Sequence, residues 1–227
     1  MSTSVLLVDD DAPMRAFVRR NLEARGYTVQ EATNGLEALA QARHDEPDVM
    51  ILDIMMPHLD GYEVCRRLRK FSDIPVLVLT AMGDESQIVE ALDCGADDCL
   101  TKPFGVEELM ARLRSVVRRA TNDGQTASSE QIRHRDLIVD LDAQRAWSGH
   151  RELDLTRTEF GVLRHYARNL GKTIPHRHVL AAVWGDGFEN ESHYIRIYVS
   201  RLRAKIETPG EEPYFFTEHG LGYRLGS

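Results

Sequence analysis

The stretch VLLVDDD, residues 5–11, sets three carboxylates directly after an apolar run. A short, uncharged apolar run that ends in turn-forming residues is typical of a strand buried on both faces. Because aspartate is rarely buried without a partner, the acids must lie where the strand ends. The same pattern returns in MILDIMMP at residues 50–57, in VLVLTA at 76–81 and in CLTKPF at 99–104. Each of these apolar runs leads into a polar or charged side chain.

Apolar runs of this kind alternate with helical patterns up to Arg119. The predicted strands are Val5–Val8, Thr28–Glu31, Val49–Leu52, Val76–Leu79 and Cys99–Thr101. The predicted helices lie near residues 13–25, 35–43, 60–70, 84–93 and 105–119. Five strand–helix repeats predict a doubly wound, parallel, five-stranded α/β domain over residues 1–120.

Ligands of a doubly wound sheet bind outside the carboxyl ends of its strands. Five polar side chains meet that edge in the predicted fold: Asp9, Asp10, Asp53, Thr80 and Lys102. Clustered carboxylates repel one another unless a cation neutralises them, and their oxygens suit Mg²⁺. A hydroxyl and an ammonium would hold the oxygens of a phosphoryl group, with Asp53 as the nucleophile that accepts it. Each residue alone is more often a turn or helix-cap former, but the set favours a phosphoacceptor site.

The composition is that of a globular protein, with 42% hydrophobic and 28% charged residues. No apolar stretch reaches the roughly 18 residues of a membrane span, and the N-terminus lacks a signal-peptide pattern, so we expect a cytoplasmic protein without membrane contact. Cys65, Cys94 and Cys99 show no metal-ligand spacing and cannot all pair, which disfavours a disulfide framework. Residues 1–120 carry 14 basic and 21 acidic side chains, a net −7, and the remainder carries 14 against 15, a net −1.

The second half follows a different pattern. TNDGQTASSEQ, residues 121–131, is small and polar without apolar periodicity, and we interpret it as a flexible linker. In the second predicted domain, residues 132–227, the short alternating segments of 132–155 predict a small antiparallel sheet. Three helices follow, the first with the capping-box spacing Thr156–Glu159, and YFFTEHGLGYRL at 214–225 alternates as a β-hairpin does.

The third predicted helix, SHYIRIYVSRLRAKIE at residues 192–207, carries most of the chemistry of this half. Four apolar residues repeat at helical spacing and are predicted to face a core: Ile195, Val199, Leu202 and Ile206. The other faces hold His193, Arg196, Ile197, Ser200, Arg201, Arg203 and Lys205. Four cations on an exposed helix are typical of a helix that enters the major groove of DNA, although a solvated helix without such a role explains an isolated case about as well.

Together LLVDDD, ILDIMMPHLDGYEVCRRLR, VLVLTA and GADDCLTKPF resemble the receiver domain of bacterial two-component response regulators. The resemblance implies that Asp53 accepts phosphate from a sensor histidine kinase. It also implies that Asp10, Asp53 and the carbonyl of Met55 bind Mg²⁺, with Asp9 assisting through water. Thr80 and Lys102 would then contact the phosphoryl oxygens.

Two features depart from the pattern of such receivers. Cys99 stands where an aromatic side chain usually moves inward on phosphorylation. Ile88 and Glu90 lie near the places of basic residues that pair across the active homodimer. Other charged residues of that interface remain as candidates: Asp97, Asp98, Glu108, Arg112 and Arg118. The departures bear on the homodimer and not on the phosphorylation chemistry.

The second half resembles the winged helix-turn-helix effector domain of the OmpR/PhoB class, in LTRTEF, VLAAVWG, RIYVSRLRAKIE and GLGYRL. The resemblance implies that Ile197, Ser200 and Arg201 face base edges and that the hairpin brings His219 near the minor groove. Phosphate contacts are implied for His193, Arg203, Thr217 and Tyr223. Within the class, the third helix and KPFGVEEL at 102–109 most resemble Kdp-type regulators, which control high-affinity potassium uptake.

We therefore interpret the chain as a transcription factor rather than an enzyme. It would be phosphorylated on Asp53, form a homodimer on activation, bind double-stranded promoter DNA, act with RNA polymerase and control potassium-uptake genes. Two alternatives stay open. One is a DNA-binding regulator that does not depend on phosphorylation. The other is a phosphotransferase of the haloacid dehalogenase type, although Met55 stands where such enzymes carry a second acid.

Overall fold

The computed structural model of the chain describes residues 2–81, 85–121, 130–185, 188 and 191–226. The chain divides into two compact units, Met1–Arg118 and Arg119–Ser227, here called the N-terminal and C-terminal units. None of the helices in the described ranges is long and apolar enough to cross a lipid bilayer.

The N-terminal unit alternates strands and helices, as predicted. Its elements are β1 (Ser4–Val8), α1 (Ala12–Glu23), β2 (Thr28–Ala32), α2 (Gly35–Asp45), β3 (Val49–Asp53), α3 (Gly61–Leu68), β4 (Val76–Thr80), α4 (Glu85–Asp93), β5 (Asp98–Thr101) and α5 (Val106–Thr121). The strands form one sheet in the order β2-β1-β3-β4-β5, and all neighbouring strands are parallel. The predicted fold class is confirmed.

Strand β1 shows why helices cover both faces of this sheet. Leu6 and Val8 point into one apolar cluster, which includes residues of α2 and α3, and Val5 and Leu7 point into another with residues of α1 and α5. Successive side chains of a strand face opposite sides, so an uninterrupted apolar run needs a core on each side. The sheet is therefore doubly wound, which leaves its edges as the places for polar side chains.

The start of α3 fixes the backbone next to the end of β3. Asp60 caps the helix by accepting a hydrogen bond from the backbone N–H of Glu63 at 2.8 Å. Gly61 packs so closely that a Cβ at this position would overlap the carbonyl oxygen of Asp53. Only glycine allows this approach, so the first turn of α3 lies directly against the predicted phosphoacceptor.

The C-terminal unit is a winged helix, also as predicted. Its elements are β6 (Gln131–His134), β7 (Leu137–Asp140), β8 (Arg145–Ser148), β9 (Arg151–Glu152), α6 (Arg157–Arg168), β10 (Ile174–Pro175), α7 (His176–Val183), α8 (Ser192–Ile206), β11 (Phe215–Glu218) and β12 (Gly222–Leu225). The first four strands form an antiparallel sheet, and the last three strands form a second sheet in the order β10-β12-β11. Helices α6, α7 and α8 pack together beside them.

Local sequence signals account for the helices of this unit. Thr156 and Glu159 form the reciprocal capping box at the start of α6 that their spacing predicts. On α8 the four predicted core residues are all buried, and the aromatic rings of Tyr194 and Tyr198 pack against Trp184 beside them. The apolar period therefore identified the buried face of α8 correctly.

The three cysteines are free and buried in the N-terminal unit. Burial raises the pKa of both Cys65 and Cys99 to about 12 and also raises the pKa of Cys94. Thiolate, the reactive form, is therefore scarce at neutral pH for all three.

Most of the predicted linker, residues 122–129, lies outside the described residues. Of its ends, Thr121 belongs to α5 and Gln131 begins β6. The predicted limits at 120 and 132 stay predictions.

Candidate functional site

Three carboxylates lie together at the carboxyl edge of the parallel sheet. Asp9 directly follows β1 and Asp53 ends β3, and these two strands are neighbours. One ligand oxygen from each of Asp9, Asp10 and Asp53 lies within 4.8 Å of the others. Asp9 and Asp53 are buried, whereas Asp10 is exposed. Asp10 is thus the one acid of the three that is exposed, and the cluster is open to solvent on its side.

Lys102 joins the carboxylates from the end of β5. Its Nζ lies 2.8 Å from Asp53 Oδ1 and 3.0 Å from Asp9 Oδ2. The backbone N–H of Lys102 donates to the carbonyl oxygen of Thr80, the buried residue that ends β4, at 2.6 Å. The five polar residues predicted for this edge thus follow or end four strands of the sheet, as parallel topology requires.

Arg15 also reaches the pocket, which sequence reasoning missed. Its guanidinium donates to the carbonyl oxygen of Asp9 at 2.7 Å, and the backbone N–H of Asp11 donates to Asp9 Oδ1 at 2.8 Å. These two bonds hold both the backbone and the carboxylate of Asp9. An arginine in the second turn of a helix resembles a surface residue in the sequence, so no signal pointed to this role.

The electrostatics of the pocket favour an added cation. Burial raises the pKa of the Asp53 carboxyl, the hydrogen bond from Lys102 opposes that rise, and the charges of Asp9 and Asp10 add to it. Burial alone would lower the pKa of Lys102, but its hydrogen bonds to Asp53 and Asp9 outweigh this and raise the pKa. One ammonium therefore faces three carboxylates, and a negative charge remains to be neutralised.

The donor set fits Mg²⁺, which takes one or two carboxylates, keeps several waters and binds phosphate oxygens. The exposed side of Asp10 leaves room for those waters. Met55, two residues beyond β3, is 68% exposed and offers a backbone carbonyl. The predicted set of Asp9, Asp10, Asp53 and Met55 is thus chemically suited to the ion.

The candidates for a dimer interface are not equally accessible. Asp97 and Asp98 are buried, and each accepts a charged hydrogen bond at 3.0 Å, Asp97 from Arg69 and Asp98 from Arg112. A partner chain would have to displace these arginines to reach the two carboxylates. The other candidates are at least partly accessible: Glu108, Arg112 and Arg118.

Glu90, one of the departures from the receiver pattern, is paired inside the chain. Its Oε1 lies 3.8 Å from Nη2 of Arg66, so an ion pair joins α4 to α3. Cys99 lies in the apolar cluster on the same side of the sheet, and Ile88 packs against that cluster. Ile88, Glu90 and Cys99, which depart from the receiver pattern, therefore make contacts within the chain itself.

Helix α8 presents an accessible strip of four residues toward solvent. Arg196 and Ser200 are exposed, and Ile197 and Arg201 are partly exposed. The guanidinium of Arg201 lies 5.4 Å from the ring centre of Tyr198. Residues four apart on a helix lie on one face, so Arg196 and Ser200 form one row and Ile197 and Arg201 form the row beside it. This strip could lie along one groove of DNA.

Lys205, predicted to be one of four exposed cations, is bound to the framework of its own unit. Its Nζ lies 2.6 Å from Glu159 Oε2 and 2.7 Å from the carbonyl oxygen of Asp154. Glu159 is buried and belongs to the capping box of α6. Lys205 is thus partly exposed on the predicted face, but its ammonium is paired within its own unit, and helical spacing does not identify that acid partner.

Arg203 is likewise engaged, here with the hairpin. Its Nη2 donates to the carbonyl oxygen of Phe215 and to the hydroxyl of Thr217, both at 2.9 Å. Its guanidinium also lies 5.5 Å from the ring centre of Tyr223. The Tyr223 ring in turn stacks on the His176 ring, with 5.4 Å between the ring centres. Arg203 thus connects α8 to both strands of the hairpin.

The remaining predicted DNA contacts differ in exposure. Thr217 and His219 are exposed on the hairpin, whereas Tyr223 is buried and His193 is partly buried, with Nδ1 3.5 Å from Glu191. Leu221, beside His219 at the hairpin tip, is 63% exposed and was not singled out from the sequence. An exposed leucine at the tip of a hairpin is a candidate for apolar contact with a groove.

Comparisons with known proteins agree with this geometry. Residues 5–114 match the family described as "Response regulator receiver domain", and residues 150–225 match "Transcriptional regulatory protein, C terminal". The chain is 43% identical to the response regulator MprA of Mycobacterium ulcerans and to that of Mycobacterium tuberculosis, covering 99% of this chain and 98% of either relative. A solved structure of DrrB, described as a Thermotoga maritima OmpR/PhoB homolog, is 27% identical with a TM-score of 0.53, and all of both chains is covered.

This chain belongs to the OmpR/PhoB-type response regulators. The solved receiver domain of the Francisella response regulator 1452 is 36% identical with a TM-score of 0.51, covering 53% of this response regulator and all of that domain. Family membership makes the chain a two-component response regulator with a DNA-binding domain, in a family of transcription regulators rather than of enzymes.

Proposed function

We propose that this response regulator is switched by phosphorylation of Asp53 and that the phosphorylated chain binds promoter DNA as a homodimer. The observation that carries the proposal is the Lys102 ammonium, shared between Asp53 and Asp9 at 2.8 and 3.0 Å. A cation already seated on the nucleophile's own carboxylate is placed to hold the oxygens of a phosphoryl group that arrives there.

The transfer would proceed from a phosphohistidine of the sensor kinase. A carboxylate oxygen of Asp53 attacks phosphorus, the new P–O bond replaces the P–N bond, and the electron pair of that bond stays with the histidine nitrogen. Mg²⁺ held by Asp9, Asp10, Asp53 and the Met55 carbonyl would supply positive charge opposite the phosphoryl oxygens. Lys102 would move its contact from Asp53 to a phosphoryl oxygen, and the Thr80 hydroxyl would hold another.

DNA binding would use the accessible strip of α8. Arg196, Ile197, Ser200 and Arg201 would lie in the major groove, and His219 would enter the minor groove beside it. The phosphate contacts predicted for His193, Arg203, Thr217 and Tyr223 would come from the helix start and the hairpin. Two chains on repeated half-sites would convert two weak contacts into one strong one, and promoter-bound dimers would then engage RNA polymerase.

The test measures DNA binding and molar mass together. A binding site is first selected from random double-stranded DNA with the full chain. Affinity for that site is then measured at fixed salt with and without Mg²⁺ plus beryllium fluoride, a phosphoryl mimic, while light scattering follows the molar mass. Asp53→Ala is the inactive variant, and Asp73→Ala, which removes an exposed carboxylate outside the pocket, is its matched control.

We expect the mimic to raise both the DNA affinity and the molar mass of the wild type and of Asp73→Ala. It should raise neither quantity in Asp53→Ala. Equal binding by all three proteins in every buffer would contradict the switch while leaving DNA binding intact. That outcome would favour the alternative of a regulator that works without phosphorylation, an alternative that the internal Arg66–Glu90 pair also favours.

The proposed role in potassium uptake rests on the resemblance to Kdp-type regulators. The relatives named above are called MprA and add no support to it. The selected DNA site decides the matter, since a Kdp-type regulator would find its site upstream of potassium-uptake genes.

A further inference from the structure

A shallow groove of about 380 Å³ lies between α2 and α3 of the N-terminal unit. Its lining residues come from the middle and last turn of α2, from the last turn of α3 and from the two residues after its C-cap: Leu39, Ala40, Arg43, Arg67, Lys70 and Phe71. The helices run back across the sheet from the carboxyl ends of the strands, so the groove lies at the edge opposite Asp53. It belongs to neither the phosphoacceptor pocket nor the DNA-binding face.

The floor of this groove is apolar. Leu39 packs against the core cluster beneath it, and Phe71 is 38% exposed at the rim. Leu36, one turn before Ala40 on the same side of α2, is 63% exposed. Large exposed apolar side chains grouped beside a concave surface mark binding sites more often than isolated ones do.

Three cations surround the apolar floor. The guanidinium of Arg43 lies 4.3 Å from the ring centre of Phe71. The Nε of Arg67 donates a hydrogen bond to Oε1 of Glu63 at 2.8 Å. Neither Arg43 nor Lys70 has a carboxylate within ion-pair distance among the residues that the structure describes. Arg20 of α1 likewise has no carboxylate within ion-pair distance in the described part of the chain, so what distinguishes Arg43 and Lys70 is their place beside an apolar groove.

The helix dipole explains only part of this arrangement. Cations near the last turn of a helix are stabilised by its free carbonyl groups, which accounts for the presence of Arg43 and Arg67. It does not account for the exposed phenylalanine beside Arg43, since burying that ring elsewhere would be favourable. Positive charge around an open aromatic and aliphatic surface is complementary to a ligand with both an anionic and an apolar part.

We propose that this groove binds a small amphipathic anion, a planar apolar group that carries a carboxylate, sulfonate or phosphate. The volume is at the lower end of the range for small-molecule sites and suits one ring system rather than a protein segment. The apolar group lies on Leu39, Ala40 and the free face of Phe71, and the anion meets Arg43 and Lys70. Because the groove is remote from Asp53, this binding does not depend on the proposed phosphorylation.

The probe for the test is 8-anilinonaphthalene-1-sulfonate, which combines aromatic rings with one sulfonate and fluoresces on leaving water. Titrated into the full chain, it is expected to occupy one saturable site. The double variant Arg43→Ala/Lys70→Ala and the single variant Phe71→Ala are each expected to weaken binding at least tenfold. Arg20→Ala, which removes an exposed arginine of α1 outside the groove, is the matched control and should bind as the wild type does.

Two further measurements guard against misfolding and against simple charge attraction. In Phe71→Trp, which keeps an aromatic ring, tryptophan emission should be quenched as the dye binds, by more than in the wild type with its two native tryptophans and with the same dissociation constant. Inorganic phosphate at concentrations that match the dye should not displace it. Dye binding that is unchanged in the double variant, or displacement by phosphate alone, would overturn the proposal. Asp53→Ala should bind the dye normally, so failure of the phosphorylation proposal would be seen separately.

Discussion

The proposed phosphoacceptor pocket and helix α8 both present charged side chains, but these side chains are held in different ways. In the pocket, Lys102 reaches Asp9 and Asp53 at the strand ends where parallel topology requires polar residues to meet. On α8, by contrast, Arg203 and Lys205 turned out to be bound within their own unit. Topology determines where distant residues converge, whereas helical period determines only which way a side chain faces.

The largest effect is expected from the pocket. Asp53→Ala should abolish covalent phosphorylation, because no other carboxylate in the cluster both ends a strand and contacts Lys102 from that place. Intact-protein mass after incubation with Mg²⁺ and acetyl phosphate measures the modification. Asp73→Ala should be modified like the wild type. Phosphorylation of Asp53→Ala would show that Asp53 is not the nucleophile that accepts the phosphoryl group.

Removing the cation of the pocket should destabilise the fold. Lys102→Met leaves the buried carboxylates of Asp9 and Asp53 without their shared donor, which we expect to cost about 1–3 kcal/mol at pH 7. Denaturant unfolding measures the loss, and added Mg²⁺ should recover part of it by neutralising the same carboxylates. Lys172→Met changes an exposed lysine in the other unit and should leave stability unchanged. Equal stability of both variants would show that the Lys102 contacts contribute little.

An exposed cation and an internally paired cation of α8 should differ in their effect on the salt dependence of DNA binding. Arg196→Ala removes an exposed charge and should lower the slope of log affinity against log salt by about one. Lys205→Ala should leave that slope unchanged, because its ammonium is held by Glu159 and Asp154. A fall in slope for Lys205→Ala would mean that this lysine leaves its framework contacts to bind a phosphate.

The smallest expected effect is a pH dependence in the C-terminal unit. Burial lowers the pKa of His176 below its ordinary value, and the charge of Arg196 acts in the same direction. A histidine that is less easily protonated when folded costs stability as pH falls below the pKa of the unfolded chain. We expect the denaturation midpoint to fall between pH 7.5 and 5.5, and to fall less in His176→Gln. An equal fall in both would assign the loss to other groups.

Particular residues show how far the sequence could predict this molecule. Strand β3 was predicted as Val49–Leu52 and observed as Val49–Asp53, because an uncharged apolar run with a polar end leaves little freedom in placing a buried strand. The bond between Lys205 and Glu159 joins residues 46 positions apart in the chain. No local sequence pattern predicts this contact, because it depends on how α6 and α8 pack. The reach of Arg15 to Asp9 was missed for a similar reason.

Burial of all three cysteines has a practical consequence for chemical labelling. With the pKa of Cys65 and Cys99 raised to about 12, a maleimide reagent at neutral pH should leave the native thiols unmodified. Single cysteines introduced at exposed alanines, such as Ala16 on α1 and Ala204 on α8, would then be the only fast-reacting positions. A donor and acceptor dye at these two sites would report, in real time and on single molecules, whether the distance between the dyes changes when the beryllium fluoride mimic is added.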